Sequence, residues 1–162
     1  MEDIRFCQQC GSRVEQRLQE GVMRPVCTSC GVVVFLNPKV VAAVVVEVDG
    51  KVVMVRRTIG VGAGKWSIPA GYVDRGEVVE EAAAREIREE AGLDVEITGL
   101  LGVYCRPADK NVLVVYAGKV VGGVLTAGHE VTEVGAFDVE ALPPLAFERD
   151  AGLLRQWRDG RG

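Results

Sequence analysis

A helix bounded by glycine-containing turns is the most constraining feature of this chain. The stretch from Gly71 to Leu93 reads GYVDRGEVVEEAAAREIREEAGL. Gly76 and Glu77 suit a helix start, because an acidic residue in the first turn meets the positive end of the helix dipole. Gly92 suits the helix end, where a left-handed backbone conformation is cheap only for glycine. The pattern therefore predicts a helix that begins near Glu77 and stops at Gly92.

The predicted helix has an apolar face and an acidic face. The apolar face has one residue at every fourth position: Val79, Ala83, Ile87 and Ala91. Such a stripe can pack on a sheet. On the other face Glu86, Glu89 and Glu90 stand at i, i+3 and i+4, so their carboxylates converge. Converging carboxylates repel one another unless a cation joins them, and they suit Mg²⁺ or Mn²⁺. The alternative is a solvated acidic helix surface.

Arg85 lies two turns after Glu77 and one turn before Glu89, so its guanidinium can contact both carboxylates. The segment resembles the signature of the Nudix hydrolases, which is Gly, five residues, Glu, seven residues, then Arg-Glu-apolar-x-Glu-Glu-x-Gly-apolar. Every specified position is filled in this chain, by Gly71, Glu77, Arg85, Glu86, Ile87, Glu89, Glu90, Gly92 and Leu93.

This resemblance implies a fold and a metal site. The fold it implies is α/β, a Nudix-type α/β/α sandwich with a mixed sheet, over residues 38–162. The catalytic Mg²⁺ or Mn²⁺ would be bound by carboxylates and by one backbone carbonyl: Glu86, Glu89, Glu90 and Gly71. Arg85 and Glu77 would hold the helix and its ligands in place.

The resemblance leaves the general base open among Glu89, Glu90 and Glu130. Glu130 resembles the downstream glutamate that many Nudix enzymes use as an additional metal ligand or base. Glu133 is the competing candidate for that position. His129 is the only histidine, and we interpret it as a surface residue rather than a base.

The reaction implied by the resemblance is hydrolysis of the P–O–P bridge of a nucleoside diphosphate derivative. NADH pyrophosphatases carry a Ser-Gln-Pro-Trp-Pro-Phe-Pro-like array that is missing between Leu93 and Pro107. A proline near the position of Pro107 is a feature of many ADP-ribose pyrophosphatases. We therefore expect ADP-ribose first, FAD second and NADH third. The alternative is a non-catalytic nucleotide-sensing Nudix module, but such proteins tend to lose signature carboxylates.

Two CxxC pairs precede this region, Cys7 to Cys10 and Cys27 to Cys30, with sixteen residues between them. The spacing predicts a small four-cysteine zinc ribbon over residues 1–37, with a hairpin between the pairs. Four thiolates leave no open position on the metal, so this Zn²⁺ would be structural. A redox CxxC pair is the alternative. A zinc ribbon also precedes the Nudix domain in NADH pyrophosphatases and in a group of smaller ADP-ribose and FAD pyrophosphatases.

The charge of the chain limits the classes of partner that it can bind. From Met1 to Pro38 four arginines are balanced by four acidic residues, and the whole chain has a net charge of −4. This balance argues against nucleic acid as a partner and against a ribbon-centred interaction protein. The longest apolar run, near Val40 to Val46, is too short to span a bilayer. We expect a small-molecule nucleotide substrate, no membrane, a possible homodimer, and a cytoplasmic location, since paired CxxC motifs suit a reducing compartment.

The remaining elements are predicted from local patterns. Two β-branched runs, 39–48 and 51–57, read as a hairpin joined by Asp49-Gly50. Arg56 and Arg57 at its end could meet phosphates or solvent, and the glycine-rich segment 58–64 reads as a flexible connection. Further strands are expected at 100–104, 111–120 and 134–138, and an amphipathic helix at 147–158. Cys105 is interpreted as a small apolar filler.

Overall fold

Residues 4–107 and 109–160 are described by the structure, a computed structural model of the chain. Their packing divides the chain into two units, Met1–Asn37 and Pro38–Gly162. Within the described residues, every helix is too short or too polar to cross a membrane.

The first unit is built on a hairpin of β1 (Val14–Gln19) and β2 (Val22–Cys27), which are antiparallel. This hairpin was predicted and is confirmed. Two matching turns lie at its open end, where the Gly11 amide donates to the Cys7 carbonyl and the Gly31 amide to the Cys27 carbonyl. Both glycines have φ of +73°, a backbone conformation that side chains disfavour.

The second unit contains two four-stranded sheets and two helices. Its elements are β3 (Lys39–Val45), β4 (Glu47–Val48), β5 (Lys51–Arg57), β6 (Trp66–Ser67), β7 (Ala70–Tyr72), α1 (Val79–Ala91), β8 (Leu93–Tyr104), β9 (Asn111–Gly123), β10 (Val131–Phe137) and α2 (Glu148–Asp159). One sheet has the order β7-β3-β9-β8, with β3 and β9 parallel and the other pairs antiparallel. The other has the order β10-β5-β4 with β6 paired to β5. The predicted mixed-sheet α/β fold is confirmed.

The two helices cover opposite faces of the strands. Val44 of β3 and Val53 of β5 pack with Ile87 of α1 in one core cluster. Val45, the next residue of β3, packs with Leu154 of α2 in the other cluster. Because successive side chains of a strand point to opposite faces, alternate residues of the continuous valine runs pack against α1 and α2. This packing gives the α/β/α arrangement.

The hairpin predicted at Asp49-Gly50 is much shorter than expected. Both turn residues have positive φ, 52° and 74°, as an Asp-Gly hairpin turn requires. However, only β4 pairs with β5 across it, while β3 lies in the other sheet beside β7 and β9. Since β3 is buried on both faces, it is an interior strand with a parallel neighbour. The apolar run in the sequence is continuous, so it gave no sign of the boundary between β3 and β4.

The predicted environment of Cys105 is wrong. Its side chain is exposed, just after the end of β8, so it does not fill the apolar core. The C-terminal helix agrees with its prediction, because the three apolar residues expected to point inward, Leu153, Leu154 and Trp157, are all buried.

Candidate active site

The turn before α1 brings Glu77 towards the helix. Gly76 has φ of 90° and Val78 is extended, with φ of −74° and ψ of 134°, so α1 begins at Val79, two residues after the predicted start near Glu77. The Glu77 amide donates to the Asp74 carbonyl at 3.0 Å, and the Asp74 amide donates to Glu77 Oε2 at 3.0 Å. This reciprocal pair leaves Glu77 Oε1 directed at Arg85.

Arg85 joins the turn, the helix and β7. Its guanidinium donates to Glu77 Oε1 at 2.7 Å and Oε2 at 3.0 Å, to Glu86 Oε1 at 2.7 Å and to Glu89 Oε2 at 2.9 Å. It also donates to the Tyr72 carbonyl at 3.0 Å. The hydrogen bonds from Arg85 lower the pKa of Glu77 from 4.5 to about 2. One arginine therefore orients three carboxylates.

Glu77→Gln is expected to lower the free energy of unfolding at neutral pH, and to matter less in acid. Because the pKa of Glu77 falls from 4.5 to about 2 on folding, its charge stabilises the fold above pH 4.5. That contribution is lost as the pH falls through this window. Urea unfolding of both proteins at pH 7 and pH 3 measures the difference. Glu81→Gln, an exposed change in the first turn of α1, is the control, and a pH-independent difference for Glu77→Gln would contradict the prediction.

Two buried carboxylates of α1 lie against β7. A Cβ atom at Gly71 would overlap the Glu86 carboxylate, so only glycine permits this approach. The Ala70 amide donates to Glu90 Oε2 at 3.0 Å. Glu86 and Glu90 are 8% and 9% exposed, and burial raises the pKa of Glu86 and raises that of Glu90 to about 7.

These carboxylates line a cavity of about 630 Å³, which we call the carboxylate cavity. Its lining includes Arg57, Glu86, Glu89, Glu90, His129 and Glu130. Among the described residues, only the four paired cysteines bring three or more ligand atoms within 4.8 Å of one another. The carboxylate oxygens are thus spaced more widely than the thiols. Carboxylates with a nearby backbone carbonyl are the donor set that Mg²⁺ and Mn²⁺ prefer.

The segment between β9 and β10 binds to the C-terminal end of α1. This contact places Glu130 at the carboxylate cavity. Gly92, with φ of 70°, ends the helix as predicted. The Thr126 amide then donates to the Ala91 carbonyl and the Gly128 amide to the Glu90 carbonyl, both at 3.0 Å. A Cβ atom at Gly128 would overlap the Glu89 carbonyl oxygen. Unpaired carbonyls at the end of the helix therefore anchor the loop that precedes Glu130.

The structure separates the two candidates for a downstream glutamate. Glu130 lines the carboxylate cavity, whereas Glu133 accepts a hydrogen bond from Arg56 at 2.6 Å. His129 is exposed and lines the same cavity as Glu130. Sequence reasoning had no local signal for the position of this histidine, since it depends on the contact of the loop with α1.

Arg56 and Arg57 have different surroundings. The Arg56 guanidinium donates hydrogen bonds to the Glu133 carboxylate and, from Nε at 2.8 Å, to the Gly64 carbonyl. Arg57 donates to the Val61 carbonyl at 3.0 Å and lies 5.3 Å from the centre of the Phe147 ring. It lines both the carboxylate cavity and a second cavity beside it. Arg57 is therefore the member of the pair that faces a site.

The second cavity, which we call the α2 cavity, has a volume of about 380 Å³. Its basic lining residues are Arg57, Arg106, Lys110 and Arg149. It shares Arg57, Ala70, Gly71 and Tyr72 with the carboxylate cavity, so the two are contiguous. Sequence reasoning missed this cavity because its basic residues come from β5, from the segment between β8 and β9, and from α2.

The four paired cysteines form a separate cluster in the first unit. The Sγ–Sγ distances are 3.8 Å for Cys7–Cys30, 3.4 Å for Cys10–Cys27 and 3.6 Å for Cys10–Cys30. Thiolates at the corners of a tetrahedron with Zn–S bonds of ~2.3 Å would be ~3.7 Å apart. The cluster therefore has the dimensions of a four-thiolate metal site.

Comparison with known proteins agrees with both units. Residues 36–157 match the NUDIX domain family, and residues 5–35 match the zinc-ribbon family described as Nudix N-terminal. An ADP-ribose pyrophosphatase of Methanocaldococcus jannaschii is 36% identical over 133 residues, 78% of each chain. The NAD-capped RNA hydrolase NudC of Pseudomonas aeruginosa is 31% identical over 90% of this chain, which spans 51% of that protein's length.

A solved structure extends the similarity over both units. The crystal structure of a NUDIX hydrolase from Nitrosomonas europaea is 33% identical, with a TM-score of 0.90 over 98% of this chain and 92% of that one. The family match covers most of the chain, and three acidic residues of the signature helix, Glu86, Glu89 and Glu90, line one cavity. The chain is a member of the Nudix hydrolase family, with a Nudix-type zinc ribbon at its N-terminal end.

Proposed function

We propose that this protein is a Mg²⁺- or Mn²⁺-dependent pyrophosphohydrolase that cleaves the P–O–P bridge of a nucleoside diphosphate derivative. ADP-ribose is the first candidate substrate, FAD the second and NADH the third. The observation that carries this proposal is the junction at Gly71 and Arg57 between an acidic cavity and a basic one. A diphosphate at this junction would have metal ligands on one side and cations on the other. The name of the M. jannaschii relative supports ADP-ribose.

The proposed ligands of the catalytic ion are the side chains of Glu86, Glu89 and Glu90 and the backbone carbonyl of Gly71. Two of these carboxylates are buried and abut β7, and the third is 58% exposed. When bound, a divalent ion neutralises phosphate oxygens and lowers the pKa of a coordinated water. Arg85 orients Glu86 and Glu89 through its hydrogen bonds, and Glu77 in turn holds Arg85 in place.

The chain offers three carboxylates for proton acceptance, Glu89, Glu90 and Glu130. All three line the carboxylate cavity. Burial raises the pKa of Glu90 to about 7, which is the range a general base needs near neutral pH, although its Oε2 already accepts the Ala70 amide. Arg57 lies at the junction of the two cavities and would stabilise charge on the diphosphate through its guanidinium.

The proposed role of the cysteine cluster is to bind one structural Zn²⁺ through Cys7, Cys10, Cys27 and Cys30. The thiol spacing supports a tetrahedral ion of this size. Four protein ligands leave no position for substrate, so the ion would stabilise the ribbon and take no part in hydrolysis. A homodimer and a cytoplasmic location stay predictions of the sequence.

A substrate panel tests the proposed function. We expect ADP-ribose to be hydrolysed to AMP and ribose 5-phosphate with added Mg²⁺ or Mn²⁺, faster than FAD, NADH, diadenosine polyphosphates or nucleoside triphosphates. Chromatography of the products identifies the bond that is cleaved. An NAD-capped RNA is included because of the name of the P. aeruginosa relative. Binding of nucleotides without turnover under all these conditions would favour a sensing module and overturn the proposed activity.

A further inference from the structure

Asp150 is a buried carboxyl group to which the proposed hydrolysis assigns no role. It lies in the first turn of α2 and is 1% exposed. Its Oδ2 has no hydrogen-bond partner among the described residues. Its Oδ1 forms an ion pair with Arg149 Nε at 3.8 Å, beyond hydrogen-bond distance, and that Nε has no hydrogen-bond partner among the described residues. The backbone amide of Ile68 also stabilises the ionised carboxyl group. A buried polar atom left unsatisfied costs stability and is rare in native proteins.

This carboxyl group belongs to the lining of the α2 cavity. Phe147 and Arg149 line the same cavity, with the Arg149 guanidinium 5.0 Å from the centre of the Phe147 ring. Because the α2 cavity joins the carboxylate cavity at Gly71, a ligand with its diphosphate at that junction would extend towards Asp150. One of the two groups attached to the diphosphate would then reach Asp150.

Charge indicates the chemistry of that group. The lining of the cavity includes Arg57, Arg106 and Lys110, which favour an anionic ligand. Asp109, the other acidic residue of the lining, accepts a hydrogen bond from the backbone amide of Arg106 at 2.7 Å. Burial raises the pKa of Asp150 to about 6, so at pH 7.5 it is mainly an anion and only accepts hydrogen bonds. A phosphate there would be repelled, whereas an N–H or O–H donor would satisfy Oδ2.

We propose that Asp150 is a specificity-determining residue that accepts a hydrogen bond from an N–H or O–H group of the substrate moiety held in the α2 cavity. The proposal rests on the proposed function, because that function places the diphosphate at Gly71. Two sources share this chemistry, the exocyclic amine of the base and a ribose hydroxyl. Because the carboxyl group is already buried, its hydrogen bond adds selectivity without requiring further desolvation of a protein charge.

The test compares Asp150→Asn with Glu148→Gln, an exposed acidic residue in the same first turn. The probe is the α,β-methylene analogue of ADP-ribose, which is not hydrolysed, and its affinity is measured by titration calorimetry. Two further probes lack the exocyclic amine or the 2′-hydroxyl groups. We expect the wild-type protein to prefer the parent probe over one of these by about 10- to 100-fold. Asp150→Asn should reduce that preference, because a neutral amide oxygen is a weaker acceptor than a carboxylate, and Glu148→Gln should keep it.

The pattern of affinities separates the two sources and the two proposals. If the variant no longer distinguishes the probe that lacks the amine, the donor to Asp150 is the base. If it no longer distinguishes the probe that lacks the 2′-hydroxyl groups, the donor is the ribose. Equal affinities of Asp150→Asn and the wild-type protein, or an equal loss for every probe, would overturn the inference. Asp150→Ser is measured in parallel. If Asp150→Asn does not fold, the affinities of Asp150→Ser for the three probes are used instead. Selective binding without hydrolysis of any nucleotide in the substrate panel would refute the proposed function and leave the role of Asp150 standing.

Discussion

Glu90→Gln is expected to reduce metal-dependent hydrolysis by about 10²- to 10⁴-fold in kcat. The substitution keeps the size of the side chain but removes a proposed ligand charge and one candidate base. An amide oxygen can still accept the Ala70 amide, which donates to Glu90 Oε2 at 3.0 Å. The geometry of β7 against α1 should therefore survive. Steady-state rates with ADP-ribose at saturating Mg²⁺ or Mn²⁺ measure the loss.

The same variant is expected to be at least as stable as the wild-type protein when no divalent ion is added. Burial raises the pKa of Glu90 from 4.5 to about 7, so folding disfavours its ionised form. The wild-type protein consequently loses stability as the pH rises through this window. Glutamine has no such dependence, and the variant should have the larger free energy of unfolding at pH 8. Loss of activity with gain of stability is the pattern expected of a functional carboxylate.

Glu81→Gln is the matched control for Glu90→Gln. Both residues lie on α1 and the two substitutions remove the same charge, but Glu81 is exposed and Glu90 is 9% exposed. The control should retain both the wild-type rate and the wild-type pH dependence of unfolding. A Glu90→Gln protein that hydrolyses ADP-ribose at the wild-type rate would contradict the assignment of Glu90 to the site.

The parts of the site that lie close together in sequence could be predicted from it. Helical spacing alone puts Glu86, Glu89 and Glu90 on one side of α1, and they line one cavity. The contact of Arg85 with Glu77 was also predicted, but it depends on the turn before α1, because Glu77 lies outside the helix. Such local arrangements need only the geometry of a helix and of the turn that precedes it.

The parts that depend on distant contacts could not be predicted. Gly128 permits the loop to approach the end of α1, yet in the sequence it reads only as a turn residue. Asp150 reads as one of two acidic residues in the first turn of a surface helix, yet it is buried and shares a cavity lining with Val41 and Ile68, which lie far earlier in the chain. The division of the first valine run into β3 and β4 likewise follows from pairing with β9. Pairing and burial of this kind are not encoded in local periodicity.

Removal of zinc is expected to unfold the N-terminal unit up to about Phe35, while α1 stays folded. The hairpin β1–β2 has few apolar contacts of its own, since Leu18, Val22 and Met23 are 68%, 50% and 57% exposed. A ribbon of this size relies on its metal, whose apparent binding free energy is about 10–16 kcal/mol in zinc-finger peptides. Hydrogen exchange before and after chelation measures protection separately in residues 4–37 and 38–160.

Cys27→Ser should reproduce the effect of chelation, because it removes a buried thiol that is a proposed ligand from the cluster. Cys105→Ser is the control, since Cys105 is exposed and lies in the second unit. The second unit has core clusters of its own on both faces of its strands, so its amides should keep their protection in both variants. Loss of protection in α1 together with the ribbon would show that the metal supports the whole fold, and would contradict a role confined to the N-terminal unit.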